Sequence, residues 1–168
     1  MAGALLARGL GAARIAATVD SAGLCHEGIP PAPEAVSVMA AYGLDVSHHR
    51  SRLLTAADLA TSELVLAMTR AHVRHAVVLD PAAWPRTFTL KELVWHAEQT
   101  GPRQPGEPLA DWLGRISRGR GRTALLGDSP RDDLADPTGG PLSAYEVTAA
   151  QLAQLADRLI ELGWASGE

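Results

Sequence analysis

The sequence predicts an α/β domain with a mostly parallel sheet, and three observations carry that expectation. Helical and strand-like segments alternate along the chain. Leu64-Val65-Leu66-Ala67-Met68 is an unbroken apolar run, the pattern of a strand covered on both faces, not of one facing water. Three later segments keep apolar residues at spacings of three and four, which places them on one face of a helix. At 168 residues the chain is the size of one domain with room for a real core. Neither an internal repeat nor a clear domain boundary interrupts it, so a single domain over residues 1–168 is expected.

Taken in order, Leu6 and Leu10 suit a short opening helix ending near Gly9 and Gly11. Ile15 to Val19 is a short β-capable run leading into Ser21-Ala22-Gly23. Pro30, Pro31 and Pro33 then break the chain and start a helix through Val36, Met39 and Ala40, with Gly43 as its C-terminal stop. The apolar strand at Leu64 to Met68 is followed by a helix over Ala71 to Leu79, stopped by Asp80-Pro81. Arg86 to Leu90 is a second β-rich run. Helices follow on Leu90, Leu93, Val94 and Ala97, and on Leu109, Trp112, Leu113 and Ile116. Loops are expected over Thr100 to Pro108 and over Asp128 to Pro141, where Asp, Pro and Gly concentrate. Leu152, Leu155, Leu159 and Leu162 mark a last helix.

Composition narrows the function classes. Hydrophobic residues make up 46% and charged residues 20%, which fits a globular chain. No apolar run approaches the roughly 20 residues needed to span a bilayer. The opening MAGALLARGLGAAR has no basic region before its apolar stretch and does not read as a secretory signal. A net charge of -4 gives no electrostatic case for nucleic acid or anionic membrane. A single cysteine, Cys25, excludes an internal disulfide and a cysteine-based zinc site. These features point to a cytoplasmic location.

Three segments, in order, resemble the low molecular weight protein-tyrosine-phosphatase family. The first is Ser21-Ala22-Gly23-Leu24, the proline-rich turn, and Asp45-Val46-Ser47-His48-His49-Arg50-Ser51-Arg52. The second runs from Leu64 through Met68-Thr69-Arg70-Ala71-His72 to Arg86-Thr87-Phe88-Thr89-Leu90. The third is Asp133-Leu134-Ala135-Asp136-Pro137-Thr138-Gly139-Gly140, with Tyr145 shortly after. The resemblance implies a three-layer sandwich, a small mostly parallel sheet flanked by helices. It also implies a chemistry in which a cysteine thiolate attacks phosphotyrosine and water hydrolyses the phosphocysteine.

In that family the chain opens with a strand, a Cys-x5-Arg-Ser phosphate loop, a Pro and a helix often reading Met-Ala-Glu-x-Leu. Met1-Ala2-Gly3-Ala4-Leu5 matches the start of that helix, so the nucleophile, the phosphate-binding Arg and the central first strand are absent from these residues. A domain incomplete at its N-terminus through a misplaced start or truncation is therefore expected, and these residues alone are expected to be inactive. The competing expectation is a non-catalytic homologue acting as a binding or regulatory module. Loss of the central strand orphans groups at about 1–3 kcal/mol each, against a total stability of roughly 5–15 kcal/mol. Pairing of Ile15–Val19 with Leu64–Met68, or self-association through the incomplete sheet, would relieve that cost.

By resemblance, Asp136 is the general acid that protonates the leaving tyrosine oxygen. Ser21 and His49 brace the phosphate loop, His49 fitting the family's His-x-x-Arg with Arg52. Tyr145 flanks the rim of the active site, although an aromatic opening the last helix also suits plain packing. The expected partner is a phosphotyrosine-containing protein, with no cofactor and no metal. Thr69 stands where some members carry an acidic residue. Cys25 is a poor substitute nucleophile, because Pro31 and not Arg lies six residues on and Pro30 offers no N–H. A cysteine relay of the arsenate reductase kind needs more than one Cys. His72 and His75 read as exposed side chains, and Arg115, Arg118, Arg120 and Arg122 as a solvated helix end.

Overall fold

A computed structural model describes residues 1–121 and 126–164. The chain forms two compact units, Met1–Leu53 with Ala135–Ile160, and Leu54–Leu134 with the chain from Glu161 onward.

In the first unit, helix α1 (Ala2–Ala12) continues through both Gly9 and Gly11. Neither glycine ends it because Leu5 and Leu10 bury their side chains on one face, and packing outweighs the roughly 1 kcal/mol helix penalty of a glycine. A methyl group on Gly9 would meet Ile160 Cδ1 at 2.5 Å, so that glycine serves close packing. Residues 15–20 have no regular structure and are largely exposed. The β-capable run at Ile15–Val19 thus forms no strand, since a strand exists only as part of a hydrogen-bonded ladder.

Helix α2 (Pro33–Ala41) begins with Pro in its first turn. It ends in a Schellman pattern, with Gly43 N–H donating to Ala40 O at 2.9 Å and Leu44 N–H to Met39 O at 3.0 Å. Gly43 is left-handed there, with φ +72°. Ala35 and Val38 of α2 pack with Tyr145 and Ala149 of the long last helix, α7 (Leu142–Trp164), and Met1, Ala32 and Tyr42 close the cluster.

The second unit holds the sheet. Strand β1 (Val65–Ala67) pairs in parallel with β2 (Thr87–Thr89), Leu66 opposite Phe88. Among the described residues this is the whole sheet, and it is flanked by helices. β1 is less enclosed than its apolar run predicts, Val65 and Leu66 being half-buried while β2 is fully buried. Helix α3 (Ala56–Thr61), which no apolar periodicity announces, is short and opened by a capping box between Thr55 and Asp58. Helix α4 (Arg70–Leu79) is capped by Thr69, a 3-10 turn spans Pro81–Arg86, and α5 (Leu90–Thr100) starts with a Thr89–Glu92 capping box. Helix α6 (Leu109–Ile116) buries Trp112, Leu113 and Ile116. The last turn of α7 is tied to the loop after α5, where Arg103 N–H donates to Leu162 O at 2.8 Å.

The arginine run at the end of α6 is solvated only in part: Arg118 is exposed, whereas the Arg120 side chain is buried. It lies 3.9 Å from the Trp84 ring and 4.1 Å from Phe88. Its guanidinium makes two bonds to the Glu92 carboxylate, 2.6 and 2.8 Å, and donates to the carbonyls of Thr87 and Trp84. Arg115 clamps Glu107 and the carbonyls of Thr100 and Pro102. Arg122 lies outside the described residues.

Candidate active site

Ser21 and the His49–Arg52 segment are brought together in the first unit. Gly23 N–H donates to Arg52 O at 2.8 Å, and Gly23 bridges Leu53 in parallel. Asp20 joins the two segments through its side chain, accepting from Ser21 N–H at 2.8 Å on one oxygen and pairing with Arg52 at 2.6 Å on the other. Asp20 thus ties Arg52 to the segment that carries Ser21. Ser51 completes the pairing: its carbonyl accepts from Gly28 N–H at 2.7 Å and its hydroxyl from Ile29 N–H at 3.0 Å.

His49 stands exposed at the end of a tight turn. Asp45 starts the turn by accepting from Ser47 N–H at 2.9 Å, and His49 N–H donates to Val46 O at 3.0 Å. The hydrogen bonds from Ser47, with a smaller contribution from His48, hold the Asp45 carboxyl below its ordinary value.

The first turn of α1 lies against Ser21. A methyl group built on Gly3 would meet Ser21 Cβ at 3.7 Å and Val19 Cγ1 at 3.8 Å. No side chain caps this helix and its first turn has no acidic residue. The amino end of α1, the positive end of its dipole, therefore sits beside Ser21.

Asp136 stands exposed on the loop before α7. Its carboxylate accepts from Thr138 N–H at 3.0 Å, an Asx turn, and Gly140 N–H donates to Pro137 O at 2.9 Å. Gly139 takes φ +79°, and a methyl group on Gly140 would crowd Pro137 O at 3.0 Å, so both glycines are required by the turn. Tyr145 is 3% exposed, within the core cluster of α2 and α7. Cys25 is exposed in the bend between Gly23 and α2. His72 and His75 are exposed on α4, and among the described residues no group of three or more His, Cys, Asp or Glu could hold a metal ion. No helix among them is long and apolar enough to cross a membrane.

What the sequence did not reveal is the set of long-range bonds fixing residues 130–134. Arg70 and Lys91 reach Asp132, Asp133 and nearby carbonyls more than 35 residues away. Only the clustering of Asp residues hinted at it.

Known proteins resemble the chain in sequence and in fold. The family model for low molecular weight phosphotyrosine protein phosphatase matches residues 1–104. The chain is 33% identical over 103 residues to a probable low molecular weight protein-tyrosine-phosphatase, EpsP, of Ralstonia solanacearum, covering 61% of this chain and 71% of that protein. It is 30% identical over 145 residues to a protein-arginine-phosphatase of Geobacillus stearothermophilus, covering 85% of this chain and 74% of that one. The crystal structure of a low molecular weight protein tyrosine phosphatase from T. tengcongensis superposes with a TM-score of 0.69 at 31% identity, over 95% of this chain and 87% of that one. The chain belongs to the low molecular weight phosphotyrosine protein phosphatase family.

Proposed function

We propose that these residues form the supporting part of a phosphatase that works through a phosphocysteine, and that residues 1–168 by themselves do not catalyse it. The observation that carries the second half is Cys25. It is the single cysteine, it is exposed in a bend, and no Arg follows at the sixth position. A phosphate-cleaving thiol needs a cradle of inward amides and a guanidinium, and the stretch after Cys25 has Pro30, which offers no N–H, and Pro31 in place of the Arg.

The first half rests on the family and on the uncapped amino end of α1 beside Ser21. A phosphate loop entering α1 would have its anion at the positive end of the helix dipole. A Cys-x5-Arg loop placed there would supply the thiolate, the inward amides and the two parallel bonds of a guanidinium to phosphate. Ser21 and His49 would brace the loop, with His49 set by its turn and Ser21 by Asp20. Asp136 would protonate the leaving oxygen, and its exposure suits a group that must meet substrate. The substrate is a phosphorylated protein side chain, with phosphotyrosine the first reading. The likeness to a protein-arginine-phosphatase makes phosphoarginine the second. A cytoplasmic location fits both.

The test joins a strand and Cys-x5-Arg-Ser-Pro segment from a relative to Met1 and assays phosphotyrosine and phosphoarginine peptides side by side. Turnover of phosphotyrosine that disappears on changing the new Cys to Ser supports the reading. Preference for phosphoarginine would reassign the substrate. No turnover of either would favour a non-catalytic, binding role for these residues.

A further inference from the structure

Residues 15–20 have no regular structure, and Ser21 follows them exposed. Yet Ser21 lies between two bonds that lead to the same residue. Asp20, just before it, pairs through Oδ2 with the Arg52 guanidinium at 2.6 Å. Gly23, two positions after it, donates its N–H to the Arg52 carbonyl at 2.8 Å. The second oxygen of Asp20 accepts from the Ser21 amide at 2.8 Å. One carboxylate thus holds the Ser21 backbone on one side and Arg52 on the other.

Arg52 is suited to this because its own backbone is held. The Ser51 carbonyl accepts from Gly28 N–H at 2.7 Å, and its N–H donates to Ile29 O at 2.9 Å. Its hydroxyl accepts from Ile29 N–H at 3.0 Å, and Leu53 bridges Gly23 in parallel. Residues 51–53 are therefore a fixed rail, from which the Arg52 side chain reaches out to Asp20. The first turn of α1 closes in on the same segment, a methyl group on Gly3 meeting Ser21 Cβ at 3.7 Å. All of these residues belong to the unit formed by Met1–Leu53 and Ala135–Ile160.

We propose that Arg52, acting through Asp20, is a positioning residue for Ser21. The inference rests on reading Ser21 as a brace of a phosphate loop that enters α1. Fixing the Ser21 amide leaves its hydroxyl only the staggered χ1 wells to choose from. Charge-assisted bonds suit this task because they are short and directional. Removing the guanidinium takes away a partner that orients the Asp20 carboxylate toward the Ser21 amide. The paired side chains are 34% and 73% exposed, so the effect is on local order and not on overall stability.

The test is 15N relaxation on residues 1–168 and on the Arg52→Gln and Asp20→Asn variants, with circular dichroism to check folding. Arg52→Gln removes the charge pair and keeps the backbone bond to Gly23. Asp20→Asn removes the charge and keeps an oxygen for the Ser21 amide. In the parent chain the order parameter of Ser21 should be near the rigid-backbone value of about 0.85, and in both variants it should fall below about 0.6 while Gly23 keeps its value. Arg52→Lys, which restores the cation, should recover most of the loss. An unchanged Ser21 in both variants would overturn the proposal. So would a parent chain already mobile at Ser21, or an equal fall at Ser21 and Gly23. This readout needs no activity, so it can fail while the phosphatase reading stands. In a phosphate-loop-bearing form, Arg52→Gln should lower kcat for p-nitrophenyl phosphate by about 10-fold or more, and by less than about 2-fold where Ser21 is already Ala. Equal losses in the two backgrounds would show that Arg52 does not act through Ser21.

Discussion

Replacing Arg120 by Met should cost about 3–5 kcal/mol, the usual penalty for removing one partner of a buried ion pair. The Arg120 and Glu92 side chains are only 2% and 6% exposed, so the carboxylate left behind has no water to turn to. The change removes two bonds to Glu92, at 2.6 and 2.8 Å, and the donors of the Thr87 and Trp84 carbonyls, at 2.7 and 3.2 Å. It also removes a cation lying between the rings of Trp84 and Phe88. Because a domain of this kind is stable by roughly 5–15 kcal/mol, such a loss is a large share of the total. Urea unfolding followed by tryptophan fluorescence measures it, since Trp84 reports directly on the site. With a slope of about 1–3 kcal/mol per molar urea, the midpoint should fall by about 1 M or more. The double variant Arg120→Met with Glu92→Gln should lose less than the sum of the single variants, by about 0.5–3 kcal/mol, because the uncompensated charge is gone. A cost under about 1 kcal/mol for Arg120→Met, the range of exposed pairs, would refute the buried pairing and return Arg120 to a solvated helix end.

Other perturbations follow from single observations. Gly43→Ala should destabilise by about 1–2 kcal/mol, because an alanine at φ +72° carries the steric cost of the left-handed region; thermal melting should show it. Hydrogen bonds from Arg115, then from the Gln104 amide, hold the Glu107 carboxyl below its ordinary value. Its folded pKa is depressed, so its stabilisation is present above the unfolded value of about 4.3 and is lost as pH falls through the folded value. Glu107→Gln should therefore be less stable than the parent at pH 7 and match it once the pH is well below that window. In a phosphate-loop-bearing form, Asp136→Asn should lower kcat by about 10²- to 10⁴-fold, measured with phenyl phosphate.

Much of the helical framework was legible because the signals are local. The α2 start at Pro33 and stop at Gly43, the α4 stop at Asp80-Pro81 and the leucine spacing of α7 need no distant partner. The short α3 was overlooked although Thr55 and Asp58 form a capping box, because six residues present too little apolar periodicity. α1 ends at Ala12, one residue past Gly11, and at Gly9 close packing on Ile160, not chain reversal, uses the glycine. Ile15–Val19 has strand propensity but no ladder, and propensity does not form a sheet without hydrogen-bonding neighbours. Arg120 was misread for the same reason. Its partners Trp84, Phe88 and Glu92 lie about 30 residues away, and a charged run near glycines looks solvated until they are placed. Of the candidate site, Ser21, His49 and Asp136 were legible from the family pattern alone, as positions and not as contacts. The bonds that fix residues 130–134 were not.

Above all, we propose that residues 1–168 by themselves do not hydrolyse phosphate esters. The most direct measurement is p-nitrophenyl phosphate hydrolysis by this chain and by its Cys25→Ser variant. Both should show no turnover above background, with and without a thiol reductant. Clear turnover by the parent chain, abolished in Cys25→Ser, would make Cys25 the nucleophile and contradict the account.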